Sequence, residues 1–274
     1  MHFHGWLKKR SPKIRIIYEK YRPAPGNVPE YFLKHFHGIV RSFFSCLFFL
    51  SFGPGRQMYK RSKCSRGFID KRQKIMKKEA MYAEKAGADN VRCLLCPHRC
   101  LIKPGKRGIC RVRKNVNGTL VTETYGKLSA VHIDPVEKKP LYHFYPGRTI
   151  LSVGSIGCNM HCDFCQNWDI SQSSPDNFHH LKEHFPEELA EVAAESKDNI
   201  GIAYTYNEPV VFYEMMIDTA RLVHKRGKMN VAVTNAFIEP DPLQELIPLM
   251  DAFNVDLKAF DKEFYRKYAG ARLE

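Results

Sequence analysis

From Thr149 to the end of this 274-residue chain, short apolar runs alternate with amphipathic ones, and that alternation constrains the fold more than any other feature. ILSVGSIG (150–157), IGIAYTY (200–206), MNVAVTN (229–235) and AFNVDLKA (252–259) have strand length and the near-continuous apolar character of strands covered on both faces. Helix signatures lie between them. PEELAEVAAES (186–196) offers Pro186 to a first helical turn and sets Leu189, Val192 and Ala193 on one face. VVFYEMMIDTARLVHKRG (210–227) aligns Phe212, Met215, Thr219, Leu222 and Val223 on one stripe and stops at Gly227. DPLQELIPLM (241–250) and DKEFYRKYA (261–269) read as further helices. Repeated strand–helix units of this length call for a parallel sheet with right-handed crossovers. A β/α barrel is the leading architecture and a doubly wound sheet the second. The polar residues decide between them. Cys158, Asn207 with Glu208, Thr234 with Asn235, and Asp256 with Lys258 all fall at the C-terminal ends of successive strands, the face where barrel enzymes build their sites. No GxGxxG turn follows any strand, which weighs against the dinucleotide-binding alternative.

Charge adds a boundary. The net charge of +14 suggests nucleic acid until it is located. Residues 1–75 hold 17 of the 43 Lys and Arg but 3 of the 29 Asp and Glu, so the remaining 26 and 26 cancel. The basic excess belongs to residues 1–75, which read as a poorly ordered or non-native extension ahead of a natural start at MKKEAMYAEK (from Met76). Its apolar run, Phe43 to Phe52, is too short for a bilayer span, which takes about 20 residues. It also lies too far from the start for a signal peptide. Residues 76–148 read as a separate cysteine-rich module in which TLVTETYG and KLSAVHID form a small antiparallel pair.

Seven of the nine cysteines sit in two tight groups, a pattern of metal binding in a reducing compartment rather than of a disulfide framework. The expectation is a cytoplasmic protein. Cys46 and Cys64, in the extension, receive no role. In CNMHCDFC, Cys158, Cys162 and Cys165 follow the first strand with C-x3-C-x2-C spacing. A closed site takes four ligands, so three thiolates leave one coordination position open. The plain alternative is a zinc loop or ferredoxin segment whose fourth cysteine lies elsewhere. Cys93, Cys96, Cys100 and Cys110 make a complete set of four, enough for tetrahedral Zn²⁺ or a full cubane. Gly105 and Gly108 permit the turn that returns Cys110, and His98 could substitute for one ligand, with a solvent-facing histidine as the plainer reading. A zinc knuckle and an auxiliary cluster relaying electrons both remain open for this second metal.

The cysteine loop after the first strand resembles that of the radical S-adenosylmethionine (SAM) enzymes. RCLLCPHRC, GKRGICRVRKN, VHIDPVEKKPLYHFYPG, CNMHCDFCQNWDISQ and YTYNEP together resemble the radical SAM member of the AmmeMemoRadiSam group, which is related to the activating enzymes of pyruvate formate-lyase and other glycyl-radical enzymes. The resemblance covers about residues 76–274. It implies a partial (β/α) TIM-type barrel over 149–274, C-terminally incomplete because family members continue further, with the small N-terminal cysteine-rich module before it. It implies that Cys158, Cys162 and Cys165 hold a [4Fe–4S] cluster whose free iron chelates SAM. One electron then breaks the sulfonium bond and yields a 5′-deoxyadenosyl radical that abstracts hydrogen. Phe164 is expected near the adenine. Asn207 and Glu208 are expected to face the SAM amino group, although capping of the next helix explains them locally. Thr234 and Asn235 match part of the activases' aspartate-threonine-asparagine-glycine stretch, with Val233 and Ala236 departing from it. Asp256 and Lys258 match a motif near the ribose and carboxylate, with a strand-end ion pair as the local account. The implied partners are a reductant such as flavodoxin or ferredoxin, and a protein substrate or Memo-like and Amme-like proteins. Neither a membrane nor nucleic acid is expected. A glycyl-radical activase and a non-catalytic iron–sulfur or zinc carrier are the rival functions. In DPVEKKPLYHFYPG, Tyr142, His143 and Tyr145 could face a substrate, while a packed loop is the plainer reading. His161 reads as a spacer.

Overall fold

The computed structural model describes residues 78–273, within the unit Arg61–Glu274. The expectations for residues 1–75, for the start at Met76, and for Cys46 and Cys64 lie outside the described residues.

The first strands are short: β1 (Lys78–Glu79), β2 (Ala83–Lys85), β3 (Val91–Cys93), β4 (Leu101–Ile102), β5 (Arg113–Val116), β6 (Thr119–Thr122) and β7 (Lys127–Leu128). They form two small antiparallel sheets in the orders β1-β6-β5 and β2-β3-β4, while β7 pairs with β10 (Lys182–Glu183). Strands β5 and β6 are joined by Asn117-Gly118, both at positive φ (52° and 81°), the geometry of a two-residue type I′ hairpin. TLVTETYG therefore pairs with the residues before it. KLSAVHID supplies β8 (Ala130–Pro135), which pairs antiparallel with β9 (Thr149–Gly154), so the expected pairing between the two strings is corrected.

The main sheet has the order β13-β12-β11-β9-β8, with β11 (Asn199–Tyr204), β12 (Met229–Thr234) and β13 (Ala252–Val255) parallel to β9. Four parallel strands with helical crossovers and one antiparallel edge strand are consistent with part of a TIM-type barrel. Strand β8 precedes residue 149, so the sheet draws on both sides of that position. Strand β13 stops at Val255, short of the expected run to Ala259, and Asp256-Leu257-Lys258 continues as a loop. Gly201 is required where β11 meets β12, because a Cβ there would lie 1.8 Å from the Met229 carbonyl oxygen.

The helices are α1 (Trp168–Ser171), α2 (Pro186–Glu195), α3 (Tyr213–Lys225), α4 (Pro240–Leu246) and α5 (Lys262–Phe264). Pro186 opens α2 as expected, with Leu189, Ala190 and Ala193 buried, but Val192 is turned outward. Helix α3 starts after a 3-10 turn at Pro209–Phe212, and its first two turns, to Ala220, are buried nearly all round rather than on one stripe. The cause is cover on its second side. Tyr82 packs edge-on to Tyr213 at 5.6 Å, Tyr125 donates to Asp218 at 2.7 Å, and Arg113 pairs with Glu214 at 3.0 Å. The early strands thus lie against α3, and one apolar core runs from Ala80 to Met250. Among the described residues, no helix is long and apolar enough to cross a membrane.

Candidate functional site

The C-terminal ends of β9, β11 and β12 converge on the loop 155–167. Asn207, just past β11, clamps its entrance. Its Oδ1 accepts from the Ser155 amide at 3.0 Å, and its Nδ2 donates to the Gly157 carbonyl at 2.8 Å. Gly157 has φ +83°, and a Cβ there would stand 2.5 Å from the Cys110 carbonyl oxygen, so only glycine fits before the first cysteine. The middle of the loop is held by the wide turn Tyr265–Ala269 that follows α5. The His161 amide donates to the Ala269 carbonyl at 2.8 Å, and the Asp163 amide to the Tyr268 carbonyl at 3.0 Å. Asn159 donates to the Phe237 carbonyl at 2.7 Å, and Gln172 to the Met160 carbonyl at 3.1 Å. The cysteine loop is therefore pinned on several sides before any ligand binds.

Cys158, Cys162 and Cys165 are all partly buried. Burial, with the nearby Glu208, pushes the Cys158 thiol well above the ordinary range. Its sulfur accepts from the Met160 amide at 3.3 Å and lies 3.9 Å from Asn235 Nδ2. Donors aimed at a sulfur favour its thiolate form, which metals bind. Cys162 is raised by burial and opposed by the Lys258 charge. Burial disfavours the Lys258 cation, but Asp256, to which its Nζ is hydrogen-bonded, and the Cys162 and Cys158 sulfurs outweigh that and hold its pKa above the usual lysine value. Asp256 and Lys258 thus share one side, as strand alternation suggested, although both lie beyond the strand.

Glu208 is buried with its carboxylate already engaged. It accepts from Thr234 Oγ1 at 2.6 Å, the Val210 amide at 3.1 Å and the Asn235 amide at 2.8 Å. Burial still raises its pKa. The local account, a cap on the turn that follows, holds for Glu208, whereas Asn207 faces the cysteine loop. Thr234 and Asn235 join the same network, and Asn235 reaches Asn159 at 3.0 Å. Ala236, next to them, has φ 54°, the left-handed conformation that glycine favours. Phe164 is partly exposed and tilts against Phe264 at 5.8 Å, with Tyr268 beyond it.

Other expectations change. His98 does not face solvent: its Nε2 is 2.8 Å from the Asn159 carbonyl oxygen, and its ring stands edge-on to Phe237 at 5.1 Å. Tyr142, His143 and Tyr145 are exposed in their loop. His161 is held through its backbone, as a spacer is. Sequence reasoning missed Tyr206, which sits at φ 72° between β11 and Asn207. Its carbonyl accepts from Asn167 at 2.7 Å, and its hydroxyl donates to buried Asp134 at 2.7 Å, which also binds Lys138 and Lys139. The charged string around Asp134 was noticed, but nothing in it linked Asp134 to YTYNEP.

Residues 153–274 match the family model described as the Radical SAM superfamily, so a domain of that superfamily is present in the chain. An uncharacterized protein of Methanocaldococcus jannaschii is 47% identical over 197 residues, which are 72% of this chain and 58% of the relative. A second uncharacterized protein of that organism is 26% identical over 178 residues, 62% of this chain and 46% of the relative. The chain thus spans about half the length of these curated relatives.

The superfamily typically uses a [4Fe–4S] cluster and SAM, and the residues present fit that donor chemistry. Three cysteines with amide donors on one sulfur share a loop whose backbone is fixed from outside. Among the described residues, no three His, Cys, Asp or Glu side chains converge on one ion position.

Proposed function

We propose that the chain is a radical SAM enzyme in which Cys158, Cys162 and Cys165 hold a [4Fe–4S] cluster with one iron open to SAM. The observation that carries the reading is the braced three-cysteine loop at the C-terminal end of the first parallel strand, together with the superfamily match over the same residues. When bound, the cluster and SAM supply one-electron cleavage of the sulfonium C–S bond and a hydrogen-abstracting adenosyl radical.

The chain's own residues do the rest. Asn207 fixes where the loop begins, and the Tyr265–Ala269 turn fixes its middle. Lys258 lends positive charge beside Cys162 and Cys158 and suits a ligand carboxylate. Glu208 orients Thr234 and Asn235 and retains unused acceptor capacity toward an amino group. Phe164 offers a partly exposed face for an adenine. Within this reading the chain belongs to the AmmeMemoRadiSam group, works in the cytoplasm with a flavodoxin- or ferredoxin-type electron donor, and has a protein substrate or Memo-like and Amme-like proteins as its partners. The motif strings support that placement. The test is anaerobic incubation of reconstituted, reduced protein with SAM, followed by mass spectrometry for 5′-deoxyadenosine and methionine. Formation of both, lost when Cys162 is changed to alanine, is expected. A reduced, cluster-loaded protein that leaves SAM intact would sink the reading.

A further inference from the structure

We propose that Cys93, Cys96, Cys100 and Cys110 hold a second iron–sulfur centre, a [4Fe–4S] cluster closed by four cysteines and separate from the three-cysteine loop. The four side chains come from β3, the turn after it and the loop before β5, and all line one cavity of about 20 Å³. Leu95, Ile102, Val210 and Val211 give that cavity an apolar wall. Four thiolates facing one space are a full set for a cubane, and a centre packed beside the three-cysteine loop suits the relay of electrons to it.

Arg113 is the second, independent sign. It lines the same cavity, is 1% exposed, and its Nε–H has no hydrogen-bond partner. Its other nitrogens are engaged by Glu214 and the Met81 carbonyl. A buried guanidinium N–H without an acceptor is costly, so an anionic occupant beside it explains its retention. A cluster carrying four thiolates is such an occupant, and its sulfurs accept hydrogen bonds. The centre would sit beside the first loop. Asn159 lines the cavity, Gly157 abuts the Cys110 backbone, and Cys96 packs against the same apolar group as Cys158.

The experiment is metal and labile-sulfide analysis of the anaerobically reconstituted full chain. A variant with Cys158→Ala, Cys162→Ala and Cys165→Ala would be analysed beside it. The variant is expected to keep about four irons and four sulfides per chain, with a reduced EPR signal indifferent to SAM. A variant that binds no iron, or that carries stoichiometric zinc instead, overturns the proposal. The reciprocal Cys96→Ser, Cys100→Ser protein should keep only the SAM-responsive signal; retention of both clusters would overturn the assignment. In Arg113→Lys, which keeps a cation for Glu214 but lacks Nε–H, iron content should hold while the midpoint potential of this cluster falls. An unchanged potential removes Arg113 from the centre. The outcomes separate this centre from the proposed function: a wild-type signal blind to SAM, with iron kept in the triple variant, defeats only the latter.

Discussion

At the residue scale, several side chains of the site hold backbone. Asn207, which the resemblance puts beside SAM, bridges Ser155 and Gly157 through its side-chain amide. Asn207→Ala leaves a buried amide and carbonyl without partners, at a cost of about 1–3 kcal/mol. We expect lower cluster occupancy than in wild type after identical reconstitution, read by the iron-to-protein ratio; full occupancy would show that the clamp is dispensable. Asp134 has a different signature. Burial would raise its pKa, but hydrogen bonds from Lys139, Tyr206 and Lys138 outweigh that and hold it well below the ordinary carboxylate range. The unfolded chain therefore binds this proton more readily than the folded one below about pH 4, and stability falls as pH drops through the folded value. Chemical denaturation of the metal-free protein between pH 5 and about pH 2 should show a shallower loss for Asp134→Asn than for wild type. Equal slopes would refute the linkage. Cys158, Cys162 and Cys165 were legible because spacing alone groups them. The Asp134–Tyr206 contact was not, because it joins residues 72 positions apart through one side-chain bond.

At the element scale, the parallel strands were legible from their apolar runs: β11 and β12 stand within a residue or two of where the sequence put them, while β9 stops three residues short, at Gly154. The errors have a common cause in neighbours that periodicity does not see. Helix α3 shows one apolar stripe, but the early strands cover its other side through Tyr82, Arg113 and Tyr125, so its first two turns are buried nearly all round. The type I′ turn at Asn117-Gly118 was a readable hairpin signal that went unused, and β6 was consequently matched to the wrong partner. The Arg113–Glu214 pair ties β5 to α3 with exposures of 1% and 0%, and Glu214 also accepts from the Met81 amide at 2.8 Å. Removing one member of such a pair strands a buried charge. Glu214→Ala should lose about 3–5 kcal/mol in urea unfolding, whereas an exposed pair such as Arg148 with Asp198 should lose under about 1 kcal/mol. A small loss at Glu214 would mean that the early strands are not anchored through it.

At the scale of the whole molecule, the described residues form a five-stranded sheet whose strand ends carry one cysteine loop, with a second cysteine group packed beside it. The first group carries the chemistry of the proposed function, and the superfamily match spans it. Strand order and loop position alone could equally suit a passive electron carrier, so SAM itself has to distinguish them. The most direct measurement is EPR of the anaerobically reduced, reconstituted protein with and without SAM. We predict that SAM shifts one cluster signal and that substituting Cys158, Cys162 and Cys165 together abolishes that response. A spectrum identical with and without SAM, in a protein whose three-cysteine loop is shown to carry iron, would contradict the account.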